Sequence, residues 1–143
     1  MITVVCFRYF LFLFHSTMHF ISKYWKTILV TIVILVLSFV KFPILEPTPK
    51  FTHTDKIIHF GMYAGLTIVL MLDYHRDEKS DKSNQKFLLT CLSFPLLIGL
   101  FTEILQGALI YYRDGDIYDV ISNSFGVLAG WGVFALFKKN IKT

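Results

Sequence analysis

The sequence predicts an all-α polytopic membrane protein, a small bundle of about four transmembrane helices with both termini in the cytoplasm. Three observations support this fold class. Hydrophobic residues make up 55% of the 143 residues and the mean hydropathy is +0.59, whereas a soluble domain of this size needs more polar surface. Four apolar segments approach the ~20 residues that a helix needs to cross a bilayer. The Lys and Arg residues lie between these segments rather than in one patch, so they indicate topology and not nucleic-acid binding.

The first predicted span covers residues 24–42 and follows an N-terminal segment that does not fit the domain. This segment is an apolar run interrupted by Arg8, and it is shorter than a transmembrane helix. We therefore expect residues 1–17 to be an extension outside the native protein. Residues 18–143 are expected to form a single membrane domain.

The three other spans are predicted at residues 57–74, 87–110 and 117–137. The second span follows Thr52-x-x-Asp55, a pattern typical of a capping box at a helix start. The third contains Pro95, which is expected to kink the helix.

Two glycine pairs predict close helix packing. Gly61-x-x-x-Gly65 lies in the second span and Gly126-x-x-x-Gly130 lies in the fourth. Small residues at this spacing allow the backbones of two membrane helices to approach each other. The second and fourth spans are therefore expected to be neighbours.

Charge between the spans predicts the orientation. The loop between the second and third spans carries four basic residues and the C-terminal tail carries three, while the loop before the fourth span holds only Arg113. Cytoplasmic loops are rich in Lys and Arg, so the N- and C-termini are expected inside. The start of the second span, the end of the third and the start of the fourth then share the extracytoplasmic face.

Polar and ionisable residues concentrate at these three helix ends, namely Asp55, Lys56, His59, Glu103, Gln106, Arg113, Asp116, Asp119 and Asn123. An ionised side chain in mid-bilayer costs ~2.5–3.5 kcal/mol on insertion scales, so these groups are expected to face one another or water. Glu103 is the most informative, because it lies roughly 10 Å inside the end of its span. It is too deep for a short side chain to reach the interface.

Each of these residues also has a structural interpretation. The three aspartates suit a first helical turn, where acids complement the helix dipole. The Lys and Arg residues suit headgroup anchoring, and Glu103 with Gln106 suits an interhelical hydrogen bond. His59 alone is equally consistent with a hydrogen-bonded interfacial histidine.

In combination, these residues resemble the VanZ-like membrane proteins, a family named for a protein associated with teicoplanin resistance. The resemblance rests on Asp55-Lys56-x-x-His59 with Tyr63, on Glu103-x-x-Gln106, and on Arg113 followed by Asp119-Val120-x-x-Asn123 and Gly126. It implies a multi-pass protein of the bacterial cytoplasmic membrane whose polar motifs face one side. It implies no established reaction.

Three hypotheses for function follow. The first is a site that binds or modifies an anionic lipid-linked envelope component, and the resemblance links it to glycopeptide resistance. Its catalytic residues would be Glu103, His59 and Asp119. Its substrate-binding residues would be Asp55, Lys56, Gln106, Arg113, Asp116 and Asn123. Carboxylates and imidazole suit general acid–base chemistry, and Lys and Arg suit anions.

The second hypothesis is a structural or partner-binding protein whose polar cluster only stabilises the bundle. The third is a metal-assisted intramembrane hydrolase with His59, Glu103 and Asp119 as ligands. We expect no metal and no other cofactor, since no metal-binding motif is present and the basic residues would repel a cation. Nucleic acid is not expected as a partner. A membrane lipid or a lipid-linked intermediate is expected to bind, and the protein could form an oligomer.

Overall fold

The computed structural model describes residues 2–39, 52–76, 84–109 and 116–141. These residues form four helices, α1 (Ile2–Phe39), α2 (Thr52–His75), α3 (Asn84–Leu109) and α4 (Ile117–Ile141), and contain no strand. Each helix is long and apolar enough to cross a membrane. The prediction of an all-α fold with four spans is confirmed.

Helix α1 begins much earlier than the first predicted span. It starts at Ile2, and its membrane-length apolar segment starts at Phe14. No Gly or Pro occurs between residues 2 and 39, so nothing in the sequence ends the helix before the predicted span. That residues 1–17 are foreign to the native protein stays a prediction.

Helix α1 is bent at Tyr24, where the predicted span begins. Tyr24 has φ −104° and ψ 18°, which are not helical values. The segment before the bend, residues 14–22, is exposed, whereas Thr27, Ile34 and Ser38 after it are buried. Among the side chains of α1 whose burial the structure describes, only those of the second half are buried.

The most extensive helix packing joins α2 and α4, as predicted. Two glycines of α4 permit it. A Cβ added to Gly130 would lie 2.5 Å from the carbonyl oxygen of Ala64, and a Cβ added to Gly126 would overlap the carbonyl oxygen of Phe60. Larger residues at these positions would force the two backbones apart.

The glycine pair of α2 has no such role against α4 or any other described segment, so that part of the prediction was wrong. A Cβ added to Gly61 or Gly65 would meet nothing within 4 Å among the described residues. The face of α2 that meets α4 is instead formed at Phe60 and Ala64. The spacing of a small-residue motif does not specify which way the helix is rotated.

Apolar packing fills the middle of the bundle in two clusters. The first contains Ile34, Tyr63, Leu66 and Val127, and the second contains Leu70, Met71, Cys91 and Phe134. Cys91 is thus a buried core residue, consistent with its place in an apolar run. Pro95 is also buried, and α3 continues through it. Polar side chains collect at the two ends.

Candidate functional site

The starts of α2 and α4 meet the last turns of α3 at one end of the bundle. The structure brings together here the side chains of Asp55, Lys56, His59, Glu103, Asp116, Asp119 and Asn123. We call these seven residues the His59 cluster. Because His59, Glu103, Asp119 and Asn123 are each at most 5% exposed, the cluster is a buried polar site and not a solvated helix face.

His59 occupies the centre of the cluster. Its Nδ1 atom lies 3.1 Å from Asn123 Oδ1. An amide oxygen can only accept a hydrogen bond, so this contact requires the proton to be on Nδ1. The carboxylate of Glu103 lies beside the same nitrogen, with Oε1 at 4.0 Å. Asn123 therefore orients the ring, and the Glu103 carboxylate lies beside the same edge of it.

The other ring nitrogen faces two carboxylates. His59 Nε2 lies 3.9 Å from Asp55 Oδ1 and 3.9 Å from Asp119 Oδ2. These distances exceed a direct hydrogen bond, so the two carboxylates lie beside Nε2 without bonding to it directly. The side chain of Asp55 is 49% exposed and that of Asp119 only 5%. Access to Nε2 is therefore from the Asp55 side.

Lys56 joins the start of α2 to the start of α4. Its Nζ atom donates a hydrogen bond to Asp116 Oδ2 at 2.8 Å and lies 3.5 Å from Asp119 Oδ1. It also lies over the ring of Tyr118, 5.3 Å from the centroid, a distance suited to a cation–π contact. The only described lysine of the cluster is thus held by two acids.

Asp116 caps the N-terminus of α4. Its Oδ1 atom accepts a hydrogen bond from the backbone N–H of Tyr118 at 2.9 Å, the bond expected of an N-cap aspartate. The hydrogen bond from Lys56, followed by that from Tyr118, lowers the pKa of the Asp116 carboxyl group below its ordinary value. Asp116 therefore remains ionised at neutral pH.

Glu103 links α3 to α4. Its Oε2 atom accepts a hydrogen bond from the backbone N–H of Asp116 at 3.3 Å, while Oε1 is the atom near His59. Its 5% exposure shows that the side chain faces the interior of the bundle. One buried carboxylate thus contacts both the helix start and the histidine.

One residue proposed from the sequence, Gln106, stands apart from the His59 cluster. Gln106 is buried, and its Nε2 atom donates a hydrogen bond to the carbonyl oxygen of Ser38 on α1 at 2.8 Å. It therefore ties α3 to α1. Arg113 lies outside the described residues.

A second polar contact, which was not predicted from the sequence, joins Tyr63 of α2 to Thr102 of α3 next to the cluster. Tyr63 Oη lies 3.0 Å from Thr102 Oγ1, and Thr102 Oγ1 donates to the carbonyl oxygen of Gly99 at 2.8 Å. Because the Thr102 proton is used in that bond, Tyr63 is the donor. The sequence positions indicated this contact, since Tyr63 follows His59 by four residues and Thr102 directly precedes Glu103.

The charge of the described cluster is predominantly negative. Four carboxylates, those of Asp55, Glu103, Asp116 and Asp119, stand against one lysine and one histidine. Such a site attracts hydrogen-bond donors and cations more than anions. Asp55, His59 and Asp119 could also hold a metal ion, since one ligand atom from each lies within 4.8 Å of the others. This set differs from the predicted one, because Glu103 lies on the Nδ1 side of the ring.

The fold and the site define a multi-pass helical membrane protein with a buried acid–histidine cluster at one end of its bundle. A family model described as VanZ/LLP1 matches residues 2–138, and the chain belongs to this family. The resemblance noted in the sequence is thereby confirmed. Comparison with curated proteins and with solved structures found no match.

Proposed function

We propose that the His59 cluster binds the polar head group of a lipid-linked cell-envelope component at the extracytoplasmic face and transfers a proton to or from it. The observation that carries this proposal is the placement of buried His59, with Nδ1 held by Asn123 and Nε2 facing two carboxylates. A histidine fixed in this way can act as general base or acid near neutral pH.

The proposed chemistry begins at His59 Nε2. A substrate hydroxyl or amine entering beside half-exposed Asp55 would give its proton to Nε2, and the bond between that proton and the substrate atom would break. The imidazolium ion formed would lie between Asp119 and Glu103, whose carboxylates stabilise its charge. The same group would return the proton later in the reaction.

Because the centre of the cluster is acidic and favours hydrogen-bond donors, an anionic part of the substrate would bind only at its rim, beside Lys56. Lys56 is the described cation there, and Asp116, its nearest partner, is 40% exposed. A phosphate oxygen could replace this exposed contact while Asp119 remains in place. Arg113, in the loop before α4, would supply a second cation. Gln106 would act indirectly, by fixing α3 against α1.

The proposal is tested in cells that express the full chain, by measuring the minimum inhibitory concentration of teicoplanin. H59A and D119N should abolish any protection that the wild-type chain gives. S124A is the matched control, because Ser124 lies on α4 and donates only to the carbonyl oxygen of Val120 among described atoms. Each variant must also retain the wild-type thermal midpoint in detergent.

Two results would contradict the proposal. Full protection by H59A would show that the histidine transfers no essential proton. Loss of protection only in parallel with loss of thermal stability would favour a cluster that merely stabilises the bundle. If expression of the wild-type chain changes no envelope phenotype, the substrate is not an envelope component. Acid–base chemistry by His59 on another lipid would then still be consistent with the structure.

Metal-assisted hydrolysis is a second candidate, because Asp55, His59 and Asp119 present three ligand atoms close together. Tetrahedral zinc with bonds of ~2.0–2.2 Å places its ligands about 3.3–3.5 Å apart, so these side chains would need to close by a few tenths of an ångström or more. Elemental analysis of protein purified without chelator tests this. Stoichiometric zinc in wild type and its loss in D55N would support it, whereas substoichiometric metal in wild type would contradict it.

A further inference from the structure

A second polar site lies at the other end of the bundle, where the bend of α1 meets the end of α2. An open cleft of about 430 Å³ is found here, lined by His19, Ser22, Lys23, Trp25, Asp73 and Arg76. We call it the Asp73 cleft. It shares no residue with the His59 cluster.

Asp73 is the buried acid of this cleft, with 1% exposure. Its Oδ2 atom accepts hydrogen bonds from the backbone N–H of Thr27 at 3.1 Å and from Thr27 Oγ1 at 2.9 Å. Thr27 is the third residue after the bend at Tyr24, so Asp73 caps the second half of α1 from a neighbouring helix. This accounts for one of the two carboxylate oxygens.

The second oxygen of Asp73 is not used within the described chain. Oδ1 is buried and accepts no hydrogen bond from any residue that the structure describes. Asp73 also lies in the last turn of α2, where the helix dipole disfavours an acid. A buried carboxylate oxygen without a partner is costly, so a ligand that donates hydrogen bonds and carries positive charge would be stabilised here.

The rest of the lining supplies positive charge and an interfacial aromatic ring. Lys23 and Arg76 border the cleft on the α1 and α2 sides. Lys23 Nζ lies 5.4 Å from the ring centroid of Tyr74, which places its charge against α2. Trp25 is half exposed, as is typical of aromatic residues at the level of lipid head groups. Two cations beside one buried acid match a ligand with a phosphate next to an ammonium group.

We propose that the Asp73 cleft binds the head group of a membrane phospholipid that carries a primary ammonium group. The phosphate would lie on Lys23 and Arg76, and the ammonium group would donate to Asp73. Phosphatidylethanolamine has this chemistry. Phosphatidylcholine has the same net charge, but its trimethylated nitrogen cannot donate a hydrogen bond.

Native mass spectrometry of the full chain in detergent, with equal amounts of dioleoyl-phosphatidylethanolamine and dioleoyl-phosphatidylcholine, tests the proposal. Wild type should retain the ethanolamine lipid about fivefold more than the choline lipid, the factor expected from ~1 kcal/mol. D73N should reduce this ratio to about one. Asn keeps an oxygen that can cap Thr27, so this variant removes charge with little change in the α1 bend.

The cations are tested by comparing K23A/R76A with K26A. The double variant should bind both lipids several-fold more weakly. Lys26 is the matched control, because it lies close in sequence but does not line the cleft, and K26A should bind as wild type does. Equal binding of the two lipids by wild type would overturn the proposal, as would an undiminished ratio in D73N.

Two lipids test the ligand without changing the protein. N-methylated phosphatidylethanolamines should bind progressively less well as their N–H groups are replaced. Phosphatidylglycerol binding as tightly as phosphatidylethanolamine would show that only the phosphate is recognised, and would overturn the ammonium assignment.

Discussion

The two ends of the bundle use buried acids in different ways. At the Asp73 end, one described buried carboxylate caps the second half of α1 through Thr27. At the His59 end, Asp116 performs the corresponding task for α4 through Tyr118. Three further acids are described at that end, and they surround a histidine from both sides of its ring. One acid therefore suffices to cap a helix, and the additional acids require another explanation.

This difference favours function at the His59 end over a purely structural role. Burying several carboxylates close together is unfavourable unless protons or cations are shared among them. An arrangement that only stabilised the bundle would be replaced at no cost by apolar packing. Variants at both ends of the bundle test this contrast.

The largest effect is expected from E103Q. Gln keeps an oxygen that can accept the Asp116 N–H hydrogen bond, but it removes the charge beside His59 Nδ1. If Glu103 stabilises the imidazolium ion, function in the teicoplanin assay should fall by about 100-fold, the lower end of the range for acid–base groups. T27V at the other end should leave function unchanged and lower the thermal midpoint. An equal loss of function in E103Q and T27V would show that the two ends of the bundle do not differ in function.

The next effect is expected at the α2–α4 contact, on which the geometry of the His59 cluster depends. G126A places a methyl group against the Phe60 carbonyl oxygen and should destabilise the fold by about 2 kcal/mol, measured by reversible denaturation in mixed micelles. G61A is the matched control. It meets no described atom within 4 Å and should be neutral, or stabilising by up to about 1 kcal/mol. If G61A were destabilising, another segment or chain would have to pack against the Gly61 face of α2.

A smaller effect is expected from removing the Asp73 cap. D73A leaves the Thr27 N–H without its acceptor and should cost about 1 kcal/mol of unfolding free energy. D73N should recover most of it, because Asn caps as well as Asp. A loss of similar size in both variants would show that the negative charge, and not the cap, stabilises this end.

The smallest effect is a pH dependence at Asp116. Its folded pKa lies below the ordinary value of 3.8, so ionised Asp116 stabilises the folded state above about pH 4. This contribution is lost as the pH falls through the folded pKa. The pair with Lys56 is partly exposed, which limits it to about 0.5 kcal/mol. Thermal midpoints from pH 6 to pH 3 should fall less steeply in D116N, and identical slopes would contradict the assignment.

A further prediction concerns which end of the bundle faces the cytoplasm. The charge of the loops predicts that the His59 end faces away from the cytoplasm. Single cysteines introduced at exposed Ile117 near the His59 end and at exposed Arg76 near the Asp73 end should react with an impermeant maleimide in intact cells only at the first position. Reaction only at the second would invert the topology.

Much of the His59 cluster was predictable because its members lie at helix ends. Asp55 and His59 are one turn apart, as are Asp119 and Asn123, so each pair shares a helix face. A charged group within a span must avoid lipid, and three such ends on one side must therefore meet. Gln106 shows the limit, since the same reasoning placed it with Glu103 but it contacts Ser38 on α1. Residues three apart differ by about 60° around a helix and about 4.5 Å along it, which is enough to give Glu103 and Gln106 different partners.

The sequence by itself determined that this protein is a four-span helical membrane protein with polar helix ends. The cost of exposing a peptide backbone to lipid permits only helices in such segments. Tertiary structure alone decided that Phe60 and Ala64 face α4, that Asn123 sets the tautomer of His59, and that Asp73 caps a bent α1. These contacts depend on the rotation and depth of each helix against its neighbours, which no local pattern of residues specifies.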